Sequence, residues 1–383
     1  MTEPGALADF DILETGTVTA YAGKLFADHG AKVTLVEPPS GSPLRQHPPF
    51  LAGRTGPDRS LHFHYMSAGK HSLLADLDTE QGCQLFRDRL GRCDIILDDR
   101  PQSWWRELGL GFEALSAEHP RLVWCAVTPY GQSGPYADYA GTDLTAMAMG
   151  GMAWLAGYAD GPTVSRGEIA LRSAALYAAV TALVVALGRG PQAGGRFVDI
   201  SIQEVVALGT ETAPQFYDLH GVIRRRNADP QRQAGIGVYP CADGFVMVYA
   251  AEAGVGTGWT RLVEWMVESG IAAARPMLSA EWATNAFKQT AAAKREFAAA
   301  FQSFAGHRCK QDLFVEGQRR RIAIAPVNGP AEVLADPHLR ETGYFRNLDI
   351  GTGSPVPCPG APFLLSRTPG RSTGRAPALG EQG

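Results

Sequence analysis

The sequence lacks any C-x-x-C pair. Its six cysteines, at 83, 93, 125, 241, 309 and 358, are scattered, which argues against a structural zinc or a disulfide framework and for a reducing, cytoplasmic setting. A block of like charge is missing too: Lys+Arg 35 against Asp+Glu 39 leaves a net charge of −4. Neither a nucleic-acid nor an anionic-membrane surface is therefore indicated, and any anionic ligand has to be met by local clusters. The longest uncharged apolar stretch, Ser173 to Leu187, has 15 residues, short of the roughly 20 that span a bilayer, and reads as a buried helix. The opening MTEPGALADF has neither a basic n-region nor an apolar h-region and is not read as a secretory signal.

Several catalytic signatures are missing as well. No G-x-x-x-x-G-K-[ST], G-x-S-x-G or H-E-x-x-H occurs. The turn TGTVTAYAGK contains only Gly16 and Gly23 and so lacks the G-x-G-x-x-G that lets backbone approach a pyrophosphate, although Glu37 stands near the place of a ribose-binding acid. His62 and His64, one residue apart on what reads as an alternating stretch, have no nearby Cys or third ligand and are taken as surface or packing histidines; no metal site is expected.

What is present is α/β rhythm. With 383 residues, 45% hydrophobic, 44 glycines and 26 prolines, the chain exceeds one ordinary core and has ample turns, so two domains, or one interrupted by another, are expected. FDILE, KVTLVEP, CDIILDD and RLVWCAVTP read as strands. Between them lie helical stretches at KLFADHGA, Cys83 to Arg92 and around Trp104 and Trp105. That alternation predicts a mostly parallel sheet in the first 200 residues. A long Ala-rich helix from Ser173 to Gly188 and the strand FVDIS follow. The rhythm then breaks at GIGVYPCADGFVMVYA, a hairpin around Ala-Asp-Gly that opens a different domain, before helices at Trp259 to Val267 and Ala291 to Phe304 and a proline-rich, loop-like tail after Ile350. Arg45, Lys70, Arg100 and Arg106 fall near strand ends or loops of the first part. As a group they suggest a phosphate-rich ligand such as a nucleotide or coenzyme A, because ligands of open α/β sheets bind at that edge.

The blocks LFADHGAKVTLVEPPSGSPLR, SAGKHSLLADLDTEQG, HPRLVWCAVTPYGQSGPYADYAGTDLTAMAMGG, GRFVDISIQE, GVYPCADGFV, APVNGPAEVLADPHLRETGYF and LSRTPGRSTGRAPALGE, in that order, resemble the class III CoA-transferase family, also called CaiB/BaiF. That family includes formyl-CoA and carnitine CoA-transferases and α-methylacyl-CoA racemases. The resemblance implies a large Rossmann-like domain built from both chain ends (residues 1–205 and 321–383), a linker at 206–224, a smaller inserted α/β domain at 225–320, and two chains interlocked as a homodimer. It further implies coenzyme A or acyl-CoA as substrate or ligand, no permanently bound cofactor, and adenine or phosphate contacts from Arg45, Lys70, and Arg100 or Arg106. Asp98 and Asp99 stand where the family often has Asn-Phe, and two carboxylates beside a polyphosphate repel it unless they point away.

The resemblance also locates a departure. The family's transferases attack the thioester with an Asp, and anchoring on Leu176 and Tyr177 puts Leu171 at its position. The racemases need that Asp and a His in G-H-D; here the triplet is Gly141, Thr142, Asp143, and Glu252 alone, at the place of an auxiliary carboxylate, does not racemise, so a racemase-like isomerase is the disfavoured reading. Three explanations stand open: Glu168 replaces the lost Asp; other acyl-CoA chemistry uses Asp143, Glu168, Arg172 or Tyr177 as acid, base or oxyanion support; or the chain is a non-catalytic CoA-ligand-binding subunit of a heteromer whose other chain carries the Asp.

Overall fold

The structure, a computed structural model, describes residues 4–158, 161–163, 167–190, 194–210, 212–226, 231–250, 258–351, 353–370 and 374–381. The chain forms two compact units, one of residues 1–154, 164–224 and 337–383, the other of 155–163 and 225–336.

The first unit is built on six parallel strands: β1 (Asp11–Glu14), β2 (Lys32–Glu37), β3 (His71–Leu74), β4 (Ile95–Asp98), β5 (Val123–Thr128) and β6 (Arg196–Ser201), in the order β3-β2-β1-β4-β5-β6. The order reverses between β1 and β4, and a crevice opens beyond the carboxyl ends of strands at such a switch point. Residues alternate between the two faces, as the pleat requires. Ile12, Ile95, Leu97, Val123, Cys125 and Val127 pack on one side; Leu13, Ile96, Trp124 and Ala126 pack on the other. The first face is covered by helix α1 (Ala20–Asp28) and, later in the chain, the 20-residue helix Ile169–Gly188; the second by α3 (Glu80–Leu90), α4 (Gln102–Glu107) and α5 (Phe112–Glu118). Helix α3 shows why such segments stop and start where they do. The Thr79 hydroxyl accepts from Gly82 N at 3.1 Å, Glu80 sits at the positive end of the helix dipole, and Arg87 and Arg89 at the negative end.

Three short helices complete the site region: α2 (Leu61–Met66), α6 (Asp143–Met149) and, numbering the long one α7 (Ile169–Gly188), α8 (Ile202–Leu208), which is followed by α9 (Thr212–His220). The expected linker at 206–224 is therefore largely helical. In α7 the alanines at 170, 174, 178, 182 and 186 form a buried stripe at four-residue spacing that lets the helix lie close on the sheet. Among the described residues α7 is the one helix long and apolar enough to cross a membrane; its alanine stripe packs on the sheet while its other side is exposed. The tail after Ile350 is not wholly loop: Val356–Pro359 pairs antiparallel with Phe345–Leu348.

The second unit carries an antiparallel sheet of β7 (Gln231–Gln233), β8 (Ile236–Cys241), β9 (Gly244–Tyr249) and β10 (Ala323–Pro326), ordered β10-β9-β8-β7. Helices α10 (Gly258–Glu268), α11 (Ala291–Ala305) and α12 (Lys310–Arg319) pack with it around Trp259, Trp265, Trp282, Phe297, Phe301 and Phe304. The hairpin β8–β9 turns at Ala242 and Asp243, where the sequence places it. Because β10 pairs with β9, this unit runs to Asp336, past the boundary expected at residue 320.

Candidate functional site

A pocket of about 150 Å³ opens in the first unit at the carboxyl end of β1. Its walls come from four places: Thr17, Val18, Ala20 and Tyr21 after β1; Leu44 and His47 after β2; His62 and Met66 on α2; and Glu168, Leu171 and Arg172 at the start of α7. The sequence separates these groups by up to 155 residues, and only the switch-point geometry brings them together.

Glu168 is the carboxylate of this pocket. It stands immediately before α7 in a left-handed conformation, φ 55° and ψ 46°, which costs a non-glycine residue of order 1 kcal/mol and turns such positions into markers of functional sites. Its Oε1 lies 3.1 Å from His47 Nε2 and its Oε2 3.5 Å from an Arg172 terminal nitrogen. Both partners of the Arg172 contact are about one-third exposed, so it contributes no more than about 0–1 kcal/mol. The Arg172 guanidinium is tethered by Nε, which donates to Gly167 O at 3.0 Å, while among the described residues its terminal nitrogens meet the Met66 thioether at 3.9 Å and Glu168. His47 packs against His62 with centroids 4.2 Å apart and the rings tilted by 33°. Burial, then the neighbouring His47, pushes His62 down to about 4, with Glu168 opposing and Arg172 adding to the effect, so His62 is neutral at pH 7.

Leu171 lines the same pocket. The start of its helix is held by Asp143: Asp143 Oδ1 accepts from Ala170 N at 2.8 Å and from Leu171 N at 3.2 Å. Helix α7 has no side-chain cap of its own, and Asp143 satisfies two of its orphan amides from α6. In this structure the expected acid or base Asp143 is engaged as a cap of α7. Tyr177, on the exposed part of α7, does not line the pocket. Glu252 lies outside the described residues.

Two of the four cations expected at a phosphate are not available to one. Arg45 is fully buried, its guanidinium bonded to Glu37 at 2.7 and 2.8 Å, to Asp58 at 2.5 Å and to Pro377 O at 3.2 Å. Burial alone would raise Glu37, but hydrogen bonds from Arg45, Ser72 and the Ser42 amide hold its carboxyl below the usual range; this is where the acid at the end of β2 is spent. Lys70 is likewise buried, with Nζ 2.7 and 2.8 Å from the Glu14 carboxylate and 2.9 Å from Ala20 O. Burial is the largest influence on that pair, lowering Lys70 and raising Glu14. Neither cation reaches an incoming phosphate without breaking a buried ion pair, which is costly.

Arg100 and Arg106 remain accessible. Arg100 is one-third exposed, 3.6 Å from Asp98 and stacked over Trp104 at 4.8 Å. Arg106 pairs with Glu113 on the wall of a second pocket, about 410 Å³, formed by Pro101, Gln102, Phe112, Gln132, Ser133 and Phe197 among others. Gln102 there is buried, and its Nε2 meets no acceptor among the described residues. The adjoining Asp98 and Asp99 point inward. Asp98 accepts from Thr15 Oγ1 and Trp105 Nε1, and Asp99 Oδ2 accepts from Thr17 N at 2.6 Å and Val18 N at 2.9 Å. The repulsion that their sequence position threatens is thus avoided, and Asp99 fills the amide pair that an anion would otherwise find after β1.

His47 and His62 are the pocket residues that sequence reasoning missed. The stretch holding His62 and His64 is the helix α2, not a strand, so the two do not share a face: His62 lines the pocket and His64 is buried with Nε2 3.0 Å from Asp58 O. His47 sits two residues after Arg45, but no spacing ties it to Glu168.

Comparison with known proteins places these features in a family context. The sequence pattern of CoA-transferase family III matches residues 7–383. Subunit BbsE of the succinyl-CoA:(R)-benzylsuccinate CoA-transferase of Thauera aromatica is 34% identical over 370 residues, covering 96% of this chain and 90% of the relative. The succinate–glutarate CoA-transferase of Agrobacterium fabrum is 30% identical over 384 residues, covering 98% of this chain and 93% of the relative. Among solved structures, a CaiB/BaiF family protein from Brucella suis superposes with a TM-score of 0.85 at 24% identity, over 99% of this chain and 97% of that one.

Proposed function

The chain belongs to CoA-transferase family III, and from that premise we propose that it is one subunit of a two-chain CoA-transferase acting on dicarboxylic acyl-CoA thioesters, with the nucleophilic carboxylate supplied by the other chain. The observation that carries this reading is Leu171. Its side chain lines the pocket at the position where the family resemblance puts the nucleophile, and an isobutyl group cannot attack a thioester. The names of the relatives agree with both halves of the proposal: one is a subunit, and benzylsuccinate, succinate and glutarate are dicarboxylates.

In this reading the nucleotide end of coenzyme A lies along the larger pocket, against Arg106, Gln102 and Phe112, with Arg100 at its edge. The acyl end reaches the smaller pocket at α7. Arg45 and Lys70 act beneath the site, fixing the loops after β2 and β1 through Glu37 and Glu14.

The test is turnover and trapping. Alone, the purified chain should bind coenzyme A by calorimetry but transfer none from succinyl-CoA to a dicarboxylate, and should give no hydroxylamine-sensitive adduct. The variant Leu171→Asp should gain such an adduct.

A second reading is favoured by the place of Glu168 in the pocket. Here Glu168 attacks the thioester carbonyl, the CoA thiolate leaves, and a mixed anhydride forms; the thiolate then attacks the glutamyl carbonyl and expels the acyl carboxylate, leaving an enzyme–CoA thioester. A covalent adduct on the wild-type chain that Glu168→Gln abolishes would establish this reading and sink the first.

A further inference from the structure

The Arg172 guanidinium presents a binding edge that the protein itself barely uses. Arg carries five N–H donors in a planar fork suited to a carboxylate. Among the described residues, only Nε of these has a close oxygen acceptor, Gly167 O at 3.0 Å, and this contact holds the plane in place. The terminal nitrogens face the pocket with a thioether at 3.9 Å and the Glu168 carboxylate at 3.5 Å, longer than a hydrogen bond between charged groups. Glu168 is shared with His47, whose Nε2 lies 3.1 Å from Oε1; because Nδ1 donates to Pro48 O at 2.7 Å, Nε2 donates to a carboxylate when both ring nitrogens carry a proton. The pocket thus holds a carboxylate already, loosely, between an arginine and a histidine, and that carboxylate belongs to a residue in a strained backbone conformation.

We propose that Arg172 and His47 form the subsite for the free carboxylate of a dicarboxylic acyl-CoA, and that Glu168 occupies it as an internal stand-in until the ligand arrives. This rests on the reading of the chain as an acyl-CoA-handling member of its family, and adds to it the residue that selects the acyl group. Val18, Leu44, Met66 and Leu171 give the same pocket apolar lining for the chain that carries the carboxylate. The pocket, about 150 Å³, has room for a short acyl chain. A terminal methyl in place of the carboxylate leaves the arginine fork without a ligand acceptor, which is how a polar site rejects an apolar analogue.

Succinyl-CoA and butyryl-CoA have the same four-carbon length and differ in the terminal group, so their affinities for the purified chain, measured by calorimetry, isolate this subsite. Wild type is expected to prefer succinyl-CoA at least about 10-fold. Arg172→Gln should weaken succinyl-CoA by about 10- to 100-fold, as for the loss of charge-assisted hydrogen bonds, and leave butyryl-CoA within about 2-fold. Arg172→Lys, which keeps the charge without the fork, should fall between the two. Glu168→Gln has the opposite sign: with the internal competitor neutralised, succinyl-CoA should bind about 3- to 10-fold more tightly.

Equal affinities for the two thioesters on wild type overturn the proposal, as does an Arg172→Gln variant that weakens both alike. A Glu168→Gln variant that weakens succinyl-CoA removes the stand-in role. Free coenzyme A provides the separation from the family-level reading: a chain that binds it and both thioesters without discrimination keeps that reading and loses only this subsite, whereas a chain that binds none of the three loses both.

Discussion

The indole Nε1 of Trp105 donates a 2.7 Å hydrogen bond to Asp98 Oδ2, and neither residue has any exposure. Burial, and after it the neighbouring Asp99 charge, raises the Asp98 carboxyl to about 6, against relief from Arg100, Thr15 and Trp105. A carboxyl raised on folding holds its proton where the unfolded chain has released it. Its stabilising contribution is therefore complete below about pH 4 and is lost as pH rises from about 4 to about 6, by roughly 3 kcal/mol. Asp98→Asn mimics the protonated form, with its oxygen toward Trp105 and its amide toward the Thr15 hydroxyl. The variant should match wild type near pH 4 and exceed it by up to about 3 kcal/mol at pH 7. Denaturant unfolding at the two pH values checks this, and a stability difference independent of pH would contradict it.

The Lys70–Glu14 pair supports the floor of the same crevice. Lys70→Met leaves the Glu14 carboxylate buried without its cation, a loss of about 3–5 kcal/mol. The double variant Lys70→Met, Glu14→Leu removes both charges and should recover most of it. Thermal unfolding of the three proteins measures the effect. A Lys70 that instead contacted coenzyme A would show normal stability and weakened ligand affinity.

These two clusters mark the limit of what could be read from the sequence. The parallel sheet was legible because β1, β2, β4 and β5 are short apolar runs separated by helical stretches, and the hairpin because Ala-Asp-Gly sits between two alternating runs. Glu168 and Arg172 were legible through their spacing from the blocks of the family resemblance. Arg45 and Lys70 look like ligand contacts in the sequence because a cation near a strand end looks the same there whether it faces solvent or a buried acid. Their partners, Glu37 and Glu14, end the strands β2 and β1, and only strand order puts Lys70 against Glu14. His47 was illegible for a related reason: its partner Glu168 lies 121 positions away, on the far side of the switch point. The small helix α2 reads as an alternating stretch because a six-residue segment with two histidines carries too little periodicity to decide.

Asp143 offers a test that separates capping from catalysis. Asp143→Ala strips the acceptor from Ala170 N and Leu171 N and should cost about 1 kcal/mol, within the range for cap deletions. Asp143→Asn keeps an acceptor oxygen in place and should retain most of that stability and the acyl-CoA affinity of the pocket. Unfolding and calorimetry on both variants measure the outcome. An Asn variant that folds normally but abolishes turnover of the complete assembly would return Asp143 to an acid–base role.

Helix α7 buries its alanine stripe and turns Tyr177, Val180, Val184 and Leu187 outward, all exposed by 43–67%. In α9 and just beyond it, Phe216, Tyr217, Leu219 and Ile223 are exposed to a similar degree. Under the two-chain reading proposed above, this exposed apolar surface is where the other chain would sit. In the proposed two-chain transferase that other chain is a second family member, or a second copy where no such member is present. A charge in the middle of the face must then be desolvated on assembly. Fully burying one valine or leucine is worth about 1.5–3 kcal/mol, so losing that contact and burying an unpaired ammonium should weaken association about 100-fold or more. Val184→Lys is the direct substitution, with Ser103→Lys in the pocket of Arg106 as a control for added charge alone. Sedimentation across a concentration series reads the result: Val184→Lys should dissociate where wild type and the control remain assembled, and a wild-type chain that stays monomeric both alone and with a family partner carrying the Asp would contradict the assignment of this face.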